Sequence, residues 1–99
     1  MIIKIKQLIL DGDYEIKFVK YFRGYKNIPI KGLFIPENYT ILINDNLSIS
    51  EKTTTIIHEF LHEIYPEWNE DKVEKTSIKL KNNLNKKDRL FFENLIKSK

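Results

Sequence analysis

The chain has 99 residues, 41% hydrophobic content and a formal net charge of +3, which together predict one domain spanning residues 1–99. The absence of cysteine excludes disulfides and thiolate metal sites, and the lack of a long apolar run or signal-peptide pattern predicts a cytoplasmic protein with no membrane partner. The lysines are interleaved with acids, a pattern that is more typical of a solvated surface than of a nucleic-acid interface.

The sequence of residues 1–18 predicts a β-hairpin. Ile3 and Ile5 alternate with lysines, and apolar residues continue to Leu10, which indicates a first strand. Asp11-Gly12 suits a type I′ turn, and residues 14–18 alternate again, which predicts a second, antiparallel strand. Aromatic residues from position 14 to position 25 also fit a helical stripe, so a helix over 14–23 is the alternative.

Two further strand segments are predicted before residue 48. Residues 24–38 contain several glycines and prolines, which indicates a loop with a short strand near 31–35. The apolar run 39–44 predicts another strand, which is either an ordinary edge strand or a strand that pairs with an extended peptide. Segment 1–48 is therefore predicted to be mainly β.

Three helices are predicted after residue 48. Ser48-Ile49-Ser50-Glu51 forms a capping box for a helix over about 50–65, which Pro66 ends. Asn69 is a good N-cap for a second helix to about residue 83. The second helix has inward positions at Val73, Ser77, Ile78 and Leu80, and a final helix over 87–97 has an apolar face of Leu90, Phe91, Phe92, Leu95 and Ile96. Strands followed by helices (49–84, then the C-terminal segment 85–99) indicate the α+β fold class.

The motif His58-Glu59-Phe60-Leu61-His62 follows the HExxH pattern and contains both histidines of the chain. Residues four apart share a helix face, so both imidazoles can bind one metal ion. Zinc favours a tetrahedral site with three protein ligands and an open position for water, and Glu59 is placed to act as general base on that water. The alternative interpretation is an amphipathic helix with two surface histidines.

The third ligand has to be a carboxylate, because the chain offers no further histidine and no cysteine. The corner at Pro66 lets the second helix fold back beside the first. Glu70 and Glu74 then lie one turn apart on the same face, and helix geometry allows either of them to reach the ion. Both acids also fit the ordinary preference for negative charge in the first helical turn, which requires no metal.

With its HExxH motif and the segment Glu70-Asp71-Lys72-Val73-Glu74, the chain resembles a minigluzincin, a minimal gluzincin-type zincin. The resemblance covers most of the chain and implies a zinc metallopeptidase with Zn²⁺ bound by His58, His62 and Glu70. It implies Glu59 as general base, with Glu74 orienting His58. It also implies latency through the C-terminal segment, or a homodimer through the C-terminal helix, where ordinary core packing is the alternative.

Under this interpretation the protein hydrolyses a peptide or protein substrate with a metal-activated water. The tyrosines Tyr25, Tyr39 and Tyr65 are the candidates for a donor to the substrate oxygen. Two other classes of function fit the sequence. One is a non-catalytic zincin-like module that binds zinc and acts through a protein partner. The other is a small basic interaction domain in which the motif is accidental.

Overall fold

The computed structural model of the protein describes residues 1–20 and 30–98. In these ranges it shows an α+β architecture of four helices and one three-stranded mixed sheet. The elements in chain order are α1 (Ile2–Leu10), β1 (Glu15–Val19), β2 (Gly32–Ile35), β3 (Thr40–Asn44), α2 (Ile49–Ile64), α3 (Glu70–Asn82) and α4 (Lys86–Lys97). A single 3-10 turn, Pro36–Asn38, joins β2 to β3. Over the same ranges, no helix combines the length and apolar character required to cross a bilayer.

The predicted N-terminal hairpin is wrong, because its first strand is the helix α1. Ile5 is fully buried whereas Ile3 is 81% exposed, so these two residues do not share a face as an alternating strand requires. The residues of α1 that face the core recur at helical spacing and are Ile2, Ile5, Leu8 and Ile9. Gly12 has φ of 77° and follows the C-cap Asp11, so the Asp-Gly pair ends a helix instead of closing a hairpin.

The sheet has the strand order β1-β3-β2, with β1 parallel and β2 antiparallel to β3. The predicted strands over 14–18 and 31–35 are confirmed, and the helical alternative for 14–23 is wrong where the structure describes it, over 14–20. The predicted edge position of 39–44 is also wrong, because β3 is the central strand. The edge next to α2 belongs to β2, whose second side has no partner strand in the described part of the chain.

The core lies between the sheet and α2. One face of α2 is buried in this core, and the opposite face lines the surface. Its capping box is confirmed, since the Ser48 hydroxyl accepts a hydrogen bond from the Glu51 backbone N–H at 3.1 Å. The buried face of α2 consists of Ile56, Ile57, Phe60 and Leu61, all fully inaccessible to solvent. The motif residues on its other face are therefore held on a rigid, well-packed element.

The helices α3 and α4 begin at asparagine caps, Asn69 and Asn85, whose side chains accept backbone N–H bonds at 2.8 Å. Val73 and Ser77 of α3 are buried as predicted, but Ile78 is 44% exposed and does not face inward. In α4, Phe92 and Ile96 enter the core, whereas Leu90 is 44% exposed, so the predicted apolar face is only partly covered.

Candidate metal centre

Three side chains from two helices converge at one point on the outer face of α2. The Nε2 atoms of His58 and His62 lie 3.1 Å apart. The Glu70 carboxylate approaches both, with Oε1 at 2.8 Å from His58 Nε2 and Oε2 at 2.8 Å from His62 Nε2. One ligand atom from each residue lies within 4.8 Å of the others, so His58, His62 and Glu70 could hold a metal ion.

These separations fit a small tetrahedral ion. With metal–nitrogen distances of about 2.1 Å, neighbouring ligand atoms of a tetrahedral site lie about 3.4 Å apart. The two imidazole Nε2 atoms lie 3.1 Å apart, and each lies 2.8 Å from a different oxygen of Glu70. An ion would therefore require these side chains to move apart by about 0.3–0.6 Å, the difference between the two sets of distances.

His58 contacts a different carboxylate through each ring nitrogen. Its Nδ1 lies 3.0 Å from Oε2 of Glu74, whereas its Nε2 lies 2.8 Å from Oε1 of Glu70. In the tautomer that donates the Nδ1 proton to Glu74, the Nε2 lone pair is directed toward Glu70 and His62 and can bind a cation.

The placement of Glu70 follows from the corner between α2 and α3. Pro66 follows the last residues of α2, and the Trp68 N–H donates to the Tyr65 carbonyl at 3.0 Å. The rings of Tyr65 and Trp68 are stacked with centroids 4.1 Å apart, and Lys72 Nζ lies 4.4 Å from the Trp68 centroid. This packing fixes the start of α3 beside α2, so the structure brings Glu70 to the two histidines and Glu74 to the far side of His58.

Glu59 lines the same cleft as His58, His62 and Glu70 and is partly buried. Burial raises the pKa of its carboxyl, and the neighbouring histidines oppose this shift. The edge strand β2 covers it from one side, because a Cβ built on Gly32 would lie 3.4 Å from Glu59 Oε1 and 2.6 Å from Thr55 Cγ2. Only glycine allows the strand to approach α2 this closely.

His58, His62 and Glu70, the candidate ligand group, open into a cleft of about 480 Å³. Its floor is the outer face of α2, one wall is the start of β2, and the other wall is α3 with Glu74 and Ile78. The wall residues Lys31, Gly32 and Leu33 were not among the residues that the sequence analysis singled out. A glycine inside a strand pattern often marks a close backbone approach, and this signal at Gly32 was available.

Two of the three tyrosines proposed as donors, Tyr39 and Tyr65, do not line the cleft. Tyr65 is stacked on Trp68, and Tyr39 packs edge-on against Tyr14 at 5.6 Å between centroids. Tyr25 lies outside the described residues. Among the residues in 1–20 and 30–98 that line the cleft, none is a tyrosine.

Comparisons with protein-family models, with curated proteins and with solved structures find no match for this chain. The functional interpretation therefore depends on the residues of the site and on their geometry.

Proposed function

We propose that the protein is a zinc-dependent metallopeptidase of the minigluzincin type. The main support is the convergence of His58 Nε2, His62 Nε2 and Glu70 on one point, with the Glu59 carboxylate in the same cleft. Two imidazoles and one carboxylate form a common ligand set of catalytic zinc sites, which retain an open coordination position. Glu74 supports the same interpretation, because zinc-ligating histidines usually donate their second N–H to a carboxylate.

Zn²⁺ held by these residues would supply a bound water with a pKa near about 7 and a Lewis acid for the substrate carbonyl. Glu59 accepts the proton of the attacking water and passes it to the leaving amine. Its burial suits this role, since a raised pKa helps the carboxyl group to retain the proton until the amine departs. Glu74 maintains the ring orientation and the tautomer of His58.

The substrate in this proposal is an extended peptide that pairs with the outer edge of β2, which has no partner strand within residues 1–20 and 30–98. The start of β2 forms a wall of the cleft next to Glu59, and its backbone groups can bind a peptide strand by β-augmentation. The sequence analysis considered peptide pairing at β3. We assign peptide pairing to β2 instead, because β3 has strands on both sides.

Latency and dimerisation through the C-terminal segment stay predictions. In the described ranges, the residues that line the cleft come from α2, α3 and the start of β2 with Lys31, and α4 contributes none. Phe92 and Ile96 of α4 are instead buried in the core, which supports the packing interpretation of this helix.

Metal content and hydrolysis together test the proposal. Protein purified without added metal should contain about one zinc per chain, and His62→Ala should lose it because two ligands hold zinc poorly. Glu59→Gln should keep the zinc and lose hydrolysis of a casein or mixed-peptide substrate, while Glu37→Gln, a change at an exposed acid that does not line the cleft, keeps both. Zinc without hydrolysis in the wild type would favour the non-catalytic zinc-binding module. A wild type that binds no zinc contradicts both interpretations.

A further inference from the structure

A second groove, of about 560 Å³, lies where the start of α2 meets the end of α3 and the start of α4. We call it the basic groove. Its charged side chains are Lys81, Lys86, Arg89 and Glu93, so three cations face a single acid. Across residues 1–20 and 30–98, no carboxylate lies within ion-pair distance of any of the three cations. The positive end of the α2 dipole adds to this charge, because Ile49 and Ser50 line the groove.

The basic groove also has an apolar part. Leu90 is 44% exposed and Ile49 is 38% exposed, and both line the groove together with Leu84. Exposed apolar side chains beside cations match a ligand that carries carboxylates and apolar side chains in alternation. An extended peptide of alternating acidic and apolar residues has this chemistry. Its successive side chains point to opposite sides, so one side carries carboxylates and the other carries apolar groups.

The basic groove and the metal cleft are adjacent, because Ser50 lines both. His58 lies eight residues after Ser50 on α2, which corresponds to about 12 Å along the helix axis. About four residues of extended peptide span this distance. A single peptide bound in the cleft can therefore continue past Ser50 into the basic groove.

The orientation of β2 determines which end of the peptide reaches the basic groove. The start of β2 pairs with the end of β3, where Gly32 lies opposite Ile43, and Asp45, just after β3, forms an ion pair with Lys52 in the first turn of α2. The strand β2 therefore runs in the same direction as α2. A peptide in antiparallel pairing, the more stable arrangement, then has its C-terminal part at the start of α2.

We propose that the basic groove binds the part of the substrate that begins about four residues after the scissile bond and that it selects acidic residues next to apolar ones. This inference depends on the proposed peptidase function for its definition of the scissile bond. It assigns Lys86 and Arg89 as specificity-determining residues and Leu90 as their apolar neighbour, none of which contacts the ligand group.

The test measures peptide binding by fluorescence anisotropy to zinc-loaded Glu59→Gln protein, which does not consume the probe. Labelled peptides of about 12 residues span both sites. They share a neutral Ser/Thr sequence and differ in one tetrapeptide: Glu-Leu-Glu-Leu near the C-terminus, the same tetrapeptide near the N-terminus, or Lys-Leu-Lys-Leu near the C-terminus. We expect the first peptide to bind about tenfold more tightly than the other two, from two ion pairs and a buried leucine.

Charge reversal at the groove is compared with an equal reversal outside it. Lys86→Glu/Arg89→Glu should abolish the tenfold preference. Lys79→Glu/Lys87→Glu changes the net charge equally at exposed residues of α3 and α4 that do not line the groove, and it should retain the preference. Equal losses in the two variants, equal binding of all three peptides, or no binding would overturn the proposal. Hydrolysis of the peptides by the wild type is measured separately. Preferential binding without hydrolysis would support the basic groove and contradict the peptidase function. Hydrolysis without preferential binding would support the peptidase function and contradict the role of the groove.

Discussion

The Nδ1 atom of His58 lies 3.0 Å from Oε2 of Glu74, on the side of the ring opposite to the atom that faces Glu70. His58 thus lies between two carboxylates of the same helix, one turn apart. Helix geometry allowed either acid to be the ligand, and the resemblance implied Glu70; in the structure the two acids make different contacts. Glu70 contacts both histidines at Nε2, whereas Glu74 contacts only the remaining nitrogen of one.

Glu74→Gln should therefore weaken zinc binding by about 10–100-fold, because the ring loses the carboxylate that fixes its tautomer and increases its basicity. Glu70→Gln should weaken it further, since it removes a ligand. Trp68 is the single tryptophan and lies two residues before Glu70, so its fluorescence can follow a zinc titration. Asp71→Asn, at an exposed acid paired with Lys75, is the matched control and should bind zinc as the wild type does. A larger loss in Glu74→Gln than in Glu70→Gln would exchange the two assignments.

Gly32→Ala should destabilise the fold by about 1–3 kcal/mol, because the new Cβ would lie 2.6 Å from Thr55 Cγ2. Thr55→Ser removes this methyl group and keeps the hydroxyl that donates to the Glu51 carbonyl at 2.8 Å. The double variant should therefore recover most of the lost free energy of unfolding in urea titrations. Thr54→Ser removes a methyl from the neighbouring position and should give no recovery. Equal stability of Gly32→Ala and wild type would show that β2 does not lie this close to α2.

Tyr14 should titrate at higher pH than an ordinary tyrosine. Burial and the hydrogen bond from its hydroxyl to Glu63 Oε1, 3.0 Å long, raise its pKa from 10.0 to about 12. Between these two values the folded chain retains a proton that the unfolded chain has released. The contribution of Tyr14 to stability is therefore complete below pH 10.0 and is lost as the pH rises toward about 12.

Ultraviolet absorbance of the phenolate measures this titration. Tyr14→Phe should remove a step at the alkaline end of the curve. If Tyr14→Phe removes an ordinary step near pH 10.0 instead, the hydroxyl does not form the bond to Glu63.

Phe92→Ala should cost about 3–5 kcal/mol of unfolding free energy, because this ring is fully buried between α4 and the core. Leu90→Ala on the same helix should cost less than about 0.5 kcal/mol, since Leu90 is 44% exposed. Both free energies are measured by urea unfolding.

Truncation after residue 83 should unfold the domain. A folded, more active truncated protein would instead support a C-terminal segment that maintains latency.

The motif helix was predictable because its signals are local. A capping box, a four-residue histidine spacing and a proline stop all lie within the same stretch of sequence, and each acts on its immediate neighbours. The asparagine caps of α3 and α4 are local signals of the same kind. The prediction of a third ligand among Glu70 and Glu74 depended on the proline corner, which is also short-range.

The N-terminal segment and the sheet order were less predictable. A helical pattern at Ile2, Ile5 and Ile9 coexists with the alternation around Lys4 and Lys6, and only packing against the core distinguishes the two. Asp11-Gly12 is suited both to a hairpin turn and to a helix end. The parallel pairing of β1 with β3 joins segments about 25 residues apart in sequence, and no local signal specifies such pairing.

The position of Glu70 on a helix other than that of the histidines has a consequence for the lifetime of the protein. An ion bound by residues from α2 and α3 acts as a crosslink between them, in a domain of 99 residues that contains no cysteine to form another. A ligand that binds only the folded state adds stability in proportion to the logarithm of its free concentration. With a metal bound as proposed, its supply in the cell would affect how long each copy survives proteolysis, and metal starvation would lower the amount of the protein as well as the proposed activity.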